Sequence, residues 1–334
     1  MPARADTEGG MTGLLVRGMQ VIAGEQLASG EIANYRQLGY GRSEYCFSPL
    51  ASAYVHDALA AFDPLSAEFD SRALEAAGPA ARIPLGRMAL QIRRKIRRYL
   101  AWQQCSNETW RFFGNAGVLP ADLDTTACAS LALLDGVSAR TSGEPEAGAE
   151  ALERFPMTGG LFSSPGSRPA GGEESPLLTL VANANCIACL AARGAEYRTL
   201  AAVLSERARE VESGPAGRLP FHFALAKAWR HTRAPEFEAL ASQEAQLLAE
   251  AGHAGSPLAA ALRLTALLDF GVEGRPALLA AAELRTWAES QPAWSCEAFV
   301  DPHCGSPALT AAVSIPALAR AAAIFAEEEL AACA

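Results

Sequence analysis

Apolar residues recur at helical spacing along most of this chain. Between Pro84 and Gln104, Leu85, Met88, Ile92, Ile96 and Tyr99 share one face, while Arg93, Arg94, Lys95, Arg97 and Arg98 fall on the rest. This predicts a helix of an outer layer with a solvated basic face. The stretch from Pro307 to Ala323 is Ala-rich, with Arg320 as its one charge, and reads as a buried helix. Helix starts are marked by caps. Ser48 stands as N-cap before Pro49, and the same kind of start returns at Asp124-Thr125, Ser175-Pro176, Leu219-Pro220, Ser256-Pro257 and Ser306-Pro307. Further helices are expected from Tyr197, Pro235 and Arg275-Pro276.

The later starts are about 40 to 50 residues apart, the span of a helical-hairpin repeat. One hairpin cannot bury its apolar face alone, so hairpins stack or close into a ring. An all-α fold follows, an α/α toroid of inner and outer helices, with an irregular helical solenoid as the alternative. Residues 1–30 carry Gly9-Gly10 and little pattern, so order is expected from near Ile32, with 31–334 as a single domain. Gly/Pro/Glu-rich loops are expected from Ser138 to Gly148 and from Ser163 to Ser175, with Phe155 to Phe162 crossing the domain between them.

Composition narrows the partners. Of 334 residues, half are apolar and Ala and Leu dominate, which agrees with an all-helical fold. The net charge of −9 argues against a general nucleic-acid binder, because phosphate binding needs a basic surplus. Eight scattered cysteines without a secretory leader point to reduced thiols and a cytoplasmic protein. No run is long and charge-free enough for a bilayer span. The basic run Arg93 to Arg98 would suit peripheral contact with anionic lipid or a partner. Oligomeric state is not legible.

The chemistry gathers in Asp122-Leu123-Asp124-Thr125-Thr126-Ala127, directly after Leu119-Pro120-Ala121. Pro120 closes the preceding loop and an acid opens the helix, so both carboxyls stand at a loop-to-helix junction, where they can face a cavity. This segment resembles the protonating motif of class II terpene cyclases and squalene–hopene-type cyclases, in the Asp-x-Asp-Thr-Thr form of drimane-type sesquiterpene cyclases. Trp102-Gln103-Gln104 to Trp110-Arg111-Phe112 resembles a worn Gln-to-Trp repeat of that superfamily, with Glu108 where a Gly is usual. Gln291 to Trp294 with Phe299 resembles a second copy. Asn183-Ala184-Asn185, Pro220-Phe221-His222-Phe223 and Gly305 to Ala312 are similar to inner-helix segments of its single-barrel members.

The resemblance implies an α/α barrel and a protonation-initiated cyclase of a linear prenyl diphosphate, most simply farnesyl diphosphate. Asp124 would be the general acid, with Asp122 and Thr125 beside it. A carboxyl buried next to a second carboxyl has a raised pKa, as a proton donor to an alkene requires. The cation formed needs a dry cavity with π faces. Tyr45, Phe47, Tyr54, Trp110, Phe112, Phe113, Phe221, Phe223 and Trp294 are the candidates for its wall. Arg87, Arg94 and Arg98 share a flank and could hold a diphosphate, with Mg2+ as its companion and no protein metal site.

The chain is too short for the second helical domain of most class II enzymes, and aromatic residues make up only 7 %. Asp-Asp-x-x-Asp, the metal motif of class I, is absent. A non-catalytic toroid that binds a prenylated ligand or a partner protein is therefore a second reading. A third, resembling protein prenyltransferases, would use Asp301, His303 and Cys304 as zinc ligands. Cys186 and Cys189, spaced Cys-x-x-Cys in an apolar run, read as core.

Overall fold

The computed structural model describes all residues except 1–9, 40–41, 115–119, 135–148, 164–174, 212–216, 292–293, 300 and 334. Six helices form its inner layer: α2 (Pro49–Ala58), α5 (Leu123–Leu134), α7 (Pro176–Ala192), α9 (Leu219–Thr232), α11 (Pro257–Asp269) and α13 (Pro307–Ile324). Each touches the next in chain order and α13 returns to α2, so the inner layer is a closed ring. Outer helices lie against it. Helix α1 (Met11–Gly24) packs on α13, α4 (Gly78–Gln103) on α2, α8 (Arg198–Glu210) on α7 and α12 (Arg275–Ser290) on α11, while α10 (Pro235–Glu250) lies against α9 and α11. The expected all-α toroid is the fold.

The two layers differ as their neighbours require. An inner helix meets the ring on two sides and the outer layer on a third. Leu123–Ala132 of α5 and Leu180–Leu190 of α7 are accordingly buried without a break. Alanine and cysteine allow this close approach; Cys186 and Cys189 are core residues of that kind. Outer helices bury one stripe, as in α8 through Leu200, Ala201, Leu204 and Ala208. Helix α13 is long and apolar enough to cross a membrane by length and composition, contrary to the sequence reading, but most of it is buried as part of the ring.

A four-stranded antiparallel sheet fastens the ring where it closes. Its order is β2 (Arg42–Tyr45), β1 (Tyr35–Gly39), β6 (Asp301–Gly305), β5 (Ala298–Phe299). Tyr35 pairs with Tyr45 on one side and with Gly305 on the other. Strand β2 leads through Cys46-Phe47 to the Ser48 cap of α2, and β6 runs straight into α13, so the first and last inner helices start from one sheet. A two-stranded hairpin, β3 (Met157–Thr158) with β4 (Leu161–Phe162), is held by Asn183 of α7, which bonds both the N–H and the C=O of Phe162.

Two local expectations do not hold. Poor order over residues 1–30 fails for Met11–Gly24, which is a helix burying Leu14, Leu15, Met19 and Ile22. Gly18 lets it lie close to α13, since a Cβ there would stand 2.3 Å from Ile315 Cγ2. Helix α4 begins at Gly78, before the expected Pro84, and its basic run is not wholly solvated. Arg93 is buried and ion-paired with Asp63, while its Nε donates to the His56 carbonyl at 3.0 Å. Arg97 donates to the carbonyl of Leu133, near the end of α5, at 3.1 Å. Both cations take up groups that would otherwise be buried unpaired.

Candidate active site in the ring lumen

The two aspartates of the motif have different local roles. Asp122 caps α5: its Oδ2 accepts from the Thr125 N–H at 2.8 Å and from the Thr125 hydroxyl at 2.6 Å. Its own N–H donates to the Trp110 carbonyl at 2.8 Å, and the Trp110 N–H donates to the Thr126 hydroxyl at 3.0 Å. With the helix start fixed in this way, Asp124 in the first turn points inward. It is 7 % exposed.

Asp124 has one engaged and one open oxygen. Oδ1 accepts from Asn185 Nδ2 at 2.7 Å and lies 3.8 Å from the Cys128 thiol. Among the described residues, buried Oδ2 has no hydrogen-bond partner. Asn185 also donates to the Tyr54 hydroxyl at 2.9 Å, so α5, α7 and α2 meet at this carboxyl. Burial, and next the charge of Asp122, push the Asp124 carboxyl up to about 6; Asn185, Lys227 and Cys128 hold it from going higher.

Aromatic rings stand next to this network. Tyr54 meets Phe299 edge-on at 4.9 Å and Phe223 at 6.1 Å, and Phe223 and Phe299 are 6.1 Å apart. Phe112 borders the same place, beside Tyr54 and Phe299. One face of Tyr54 is already taken by a cation, with Lys227 Nζ 5.1 Å from the ring centroid. Lys227 is buried, 3.8 Å from Asp57 and 3.8 Å from the Cys128 sulfur. Burial alone would pull its pKa down, but Cys128, Asp57 and Asp124 outweigh this and hold it above the ordinary value, so it is charged.

Lys227 and Phe223 also line a cavity of about 510 Å³ at the ring end where α2, α9, α11 and α13 terminate. That volume lies within the roughly 300–1,000 Å³ of small-molecule sites. Its rim is a network of paired charges. Arg230 reaches Glu68 at 2.9 Å, Asp269 at 3.3 Å and Asp57 at 3.7 Å; Arg320 reaches Asp269 at 2.7 Å. Asp57, Glu68 and His231 have donor atoms within 4.8 Å of one another, a spacing that could hold a metal ion. The Arg230 guanidinium bridges two of the three and supplies positive charge there.

Of the aromatic candidates, the structure brings Tyr54, Phe223 and Phe112 together near Asp124. Tyr45, Phe47 and Phe113 line a separate cleft of about 240 Å³ with Arg36. Trp110, Phe221 and Trp294 lie elsewhere. The Trp110 indole donates to the Leu100 carbonyl of α4 at 2.8 Å, Phe221 lies under the Arg218 guanidinium, and Trp294 abuts α1 at Gly18. Trp110 and Trp294 join outer elements to one another. Arg87, Arg94 and Arg98 are exposed on outer helix α4 and do not face the lumen. Of the zinc candidates, the side chains of Asp301 and His303 lie outside the described residues; Cys304 is buried, its sulfur 3.1 Å from that of Cys46.

Four lumen residues were missed: Asn185 and Cys128, which touch the acid, and Lys227 and Phe299 around Tyr54. Asn185 and Lys227 had a signal. Asn185 stands in an apolar helix and Lys227 in the run 221–228 that is buried without a break, and such groups need a partner.

No protein-family model and no curated protein matches the chain. Among solved structures, a substituted form of the type II terpene cyclase MstE from Scytonema, bound to geranylgeranyl dihydroxybenzoate as substrate, aligns over 94 % of this chain and 99 % of its own, with TM-score 0.61 and 14 % identity. This chain has the fold of a type II terpene cyclase. A second substituted form of MstE, bound to merosterolic acid A as product, aligns over the same shares with TM-score 0.60 and 14 % identity. Ligand-free MstE gives TM-score 0.57 and 16 % identity over those shares too.

Proposed function

We propose that this protein is a class II terpene cyclase that starts a cyclisation by protonating the distal alkene of a linear prenyl substrate through Asp124. The observation that carries the reading is a buried carboxyl in the ring lumen with one oxygen fixed by Asn185 and the other, among the described residues, without a hydrogen-bond partner. A proton on Oδ2 has no competing acceptor there and can be handed to an alkene carbon placed in the lumen. Asp122 and Thr125 hold the helix start, and Asp122 supplies the neighbouring charge that keeps the proton on Asp124. Tyr54, Phe223, Phe299 and Phe112 give the resulting carbocation π faces. Lys227 covers one face of Tyr54 and repels the cation from that side, which orients the folded chain.

Farnesyl diphosphate is the proposed substrate, with Mg2+ as companion of the diphosphate. The head group is the open variable, because the rim cations are already paired with carboxylates and MstE works on a prenylated arene. Purified protein is therefore incubated with geranyl, farnesyl and geranylgeranyl diphosphates plus Mg2+, and with a geranylgeranyl arene. Phosphatase treatment and gas chromatography–mass spectrometry follow. A cyclic product from wild type that disappears in Asp124→Ala supports the reading. Only linear alcohols and unchanged arene from the folded wild type would overturn it in favour of the non-catalytic, prenyl-binding toroid.

A further inference from the structure

Helix α4 has the strongest local charge imbalance in the sequence. Its 26 residues include seven cations and no acid, within a chain of net charge −9. Arg93 and Arg97 turn inward to groups already described. Arg87, Arg94, Lys95 and Arg98 are exposed, and at 100° per residue they fall within about a third of the helix circumference. Among the described residues none of the four makes an ion pair. Two large apolar side chains flank them on the same face: Ile83, 63 % exposed, and Trp102, 69 % exposed. From Ile83 to Trp102 the face is about 28 Å long, at ~1.5 Å per residue.

We propose that this face of α4 docks the protein on an anionic lipid bilayer. Arg and Lys would sit among anionic headgroups, and Trp102 and Ile83 at the boundary with the acyl chains. Two observations favour lipid over a soluble polyanion. The cations form one stripe along an exposed face of an outer helix. The apolar anchors at both ends have no role against phosphate alone, whereas an indole beside basic side chains suits the bilayer interface. The negative total charge does not prevent docking, because screening limits its reach to about 10 Å at 0.1 M salt while the stripe itself touches the surface. The proposal does not depend on the cyclase reading, although a prenyl substrate would partition into the same membrane.

The test is co-sedimentation of the full chain with vesicles of phosphatidylcholine alone and of phosphatidylcholine containing about one third phosphatidylserine. The wild type should bind the anionic vesicles at least about tenfold more tightly, and lose them when salt is raised. Changing Arg87, Arg94, Lys95 and Arg98 together to Gln should remove that preference, and Trp102→Ala should weaken it a few-fold. All these positions are exposed, so circular dichroism should stay unchanged; if the fourfold variant does not fold, Arg94→Gln with Arg98→Gln serves and should lose part of the preference. Quenching of Trp102 by brominated lipid, absent in Trp102→Ala, places the anchor. Equal binding to both vesicles, no binding to either, or full binding by the neutralised helix would overturn the proposal. So would tight binding of single-stranded RNA by the stripe with vesicles ignored, which would make the partner a nucleic acid.

Discussion

The lumen holds two carboxyl-bearing regions with opposite behaviour. At the start of α5, Asp124 is buried, bonded to a neutral amide, and pushed up to about 6. At the cavity rim, burial also pushes Glu68 up, but Arg230, His231 and Lys227 outweigh it and hold the group well below the usual carboxylate range. Both are withdrawn from bulk water, Glu68 the less so, with 24 % of its side chain exposed. What differs is the partner: a guanidinium in direct contact fixes a carboxylate as an anion, whereas an amide holds a carboxyl in place and leaves it able to keep its proton. One region holds charge; the other, on the proposed reading, releases a proton.

The largest expected effect comes from removing the proton donor. Asp124→Asn should lower cyclisation by about a thousandfold or more, in the range for loss of a general acid, without unfolding the protein. Cyclic product quantified beside a melting curve checks both halves. Breaking the other region should do the reverse. Arg230→Met strips Glu68 and Asp269 of a cation and should cost about 1–2 kcal/mol of stability, since the guanidinium is 32 % exposed and Asp269 keeps Arg320, read by denaturant unfolding.

The pH dependence sharpens the contrast. The folded pKa of Asp124 lies above its ordinary 3.8, so its contribution to stability is fully present below about pH 4 and is lost as pH rises through about 6. Relative to wild type, Asp124→Asn should therefore gain up to about 3 kcal/mol by pH 8 and little at pH 4. Wild-type cyclisation should fall as pH rises through the same range, because the carboxyl must be protonated to act.

Lys227→Met removes a cation that holds the Asp124 pKa down. The alkaline limb of the rate profile should move up by about one pH unit, and the maximum should fall because the acid becomes weaker. An unmoved limb would show that Lys227 acts only on Asp57. The smallest effect is expected at the cap. Asp122→Ala should cost about 1 kcal/mol of stability through the lost bonds to Thr125, with a smaller drop in cyclisation than Asp124→Asn.

Much of this fold was legible because helix starts are local. Ser48-Pro49 and Ser256-Pro257 open helices through the Ser cap, and Ser306-Pro307 opens one at the expected place without a side-chain cap bond. The aspartate pair was legible for the same reason, since its spacing places the two acids at a helix mouth. Position around the ring is not local. Whether Phe221 or Phe223 faces the lumen depends on where α9 packs, and both read alike as aromatics in an apolar helix. Phe299 reaches Tyr54 only because β5 joins the sheet that also precedes α2. Arg93 looked like part of a solvated stripe because its partner, Asp63, is 30 residues away. The apolar stripe of α1, Leu14, Leu15, Met19 and Ile22, is local and reads at helical spacing; only its close seat on α13 at Gly18 is not.

The most direct test of Asp124 as proton donor is cyclisation of farnesyl diphosphate in heavy water, followed by mass spectrometry of the product. Protonation by a solvent-exchanged carboxyl predicts one deuteron in the cyclic product, at the former distal alkene, and no cyclic product from Asp124→Asn. A cyclic product that carries no deuterium, or that still forms in Asp124→Asn, would contradict the account.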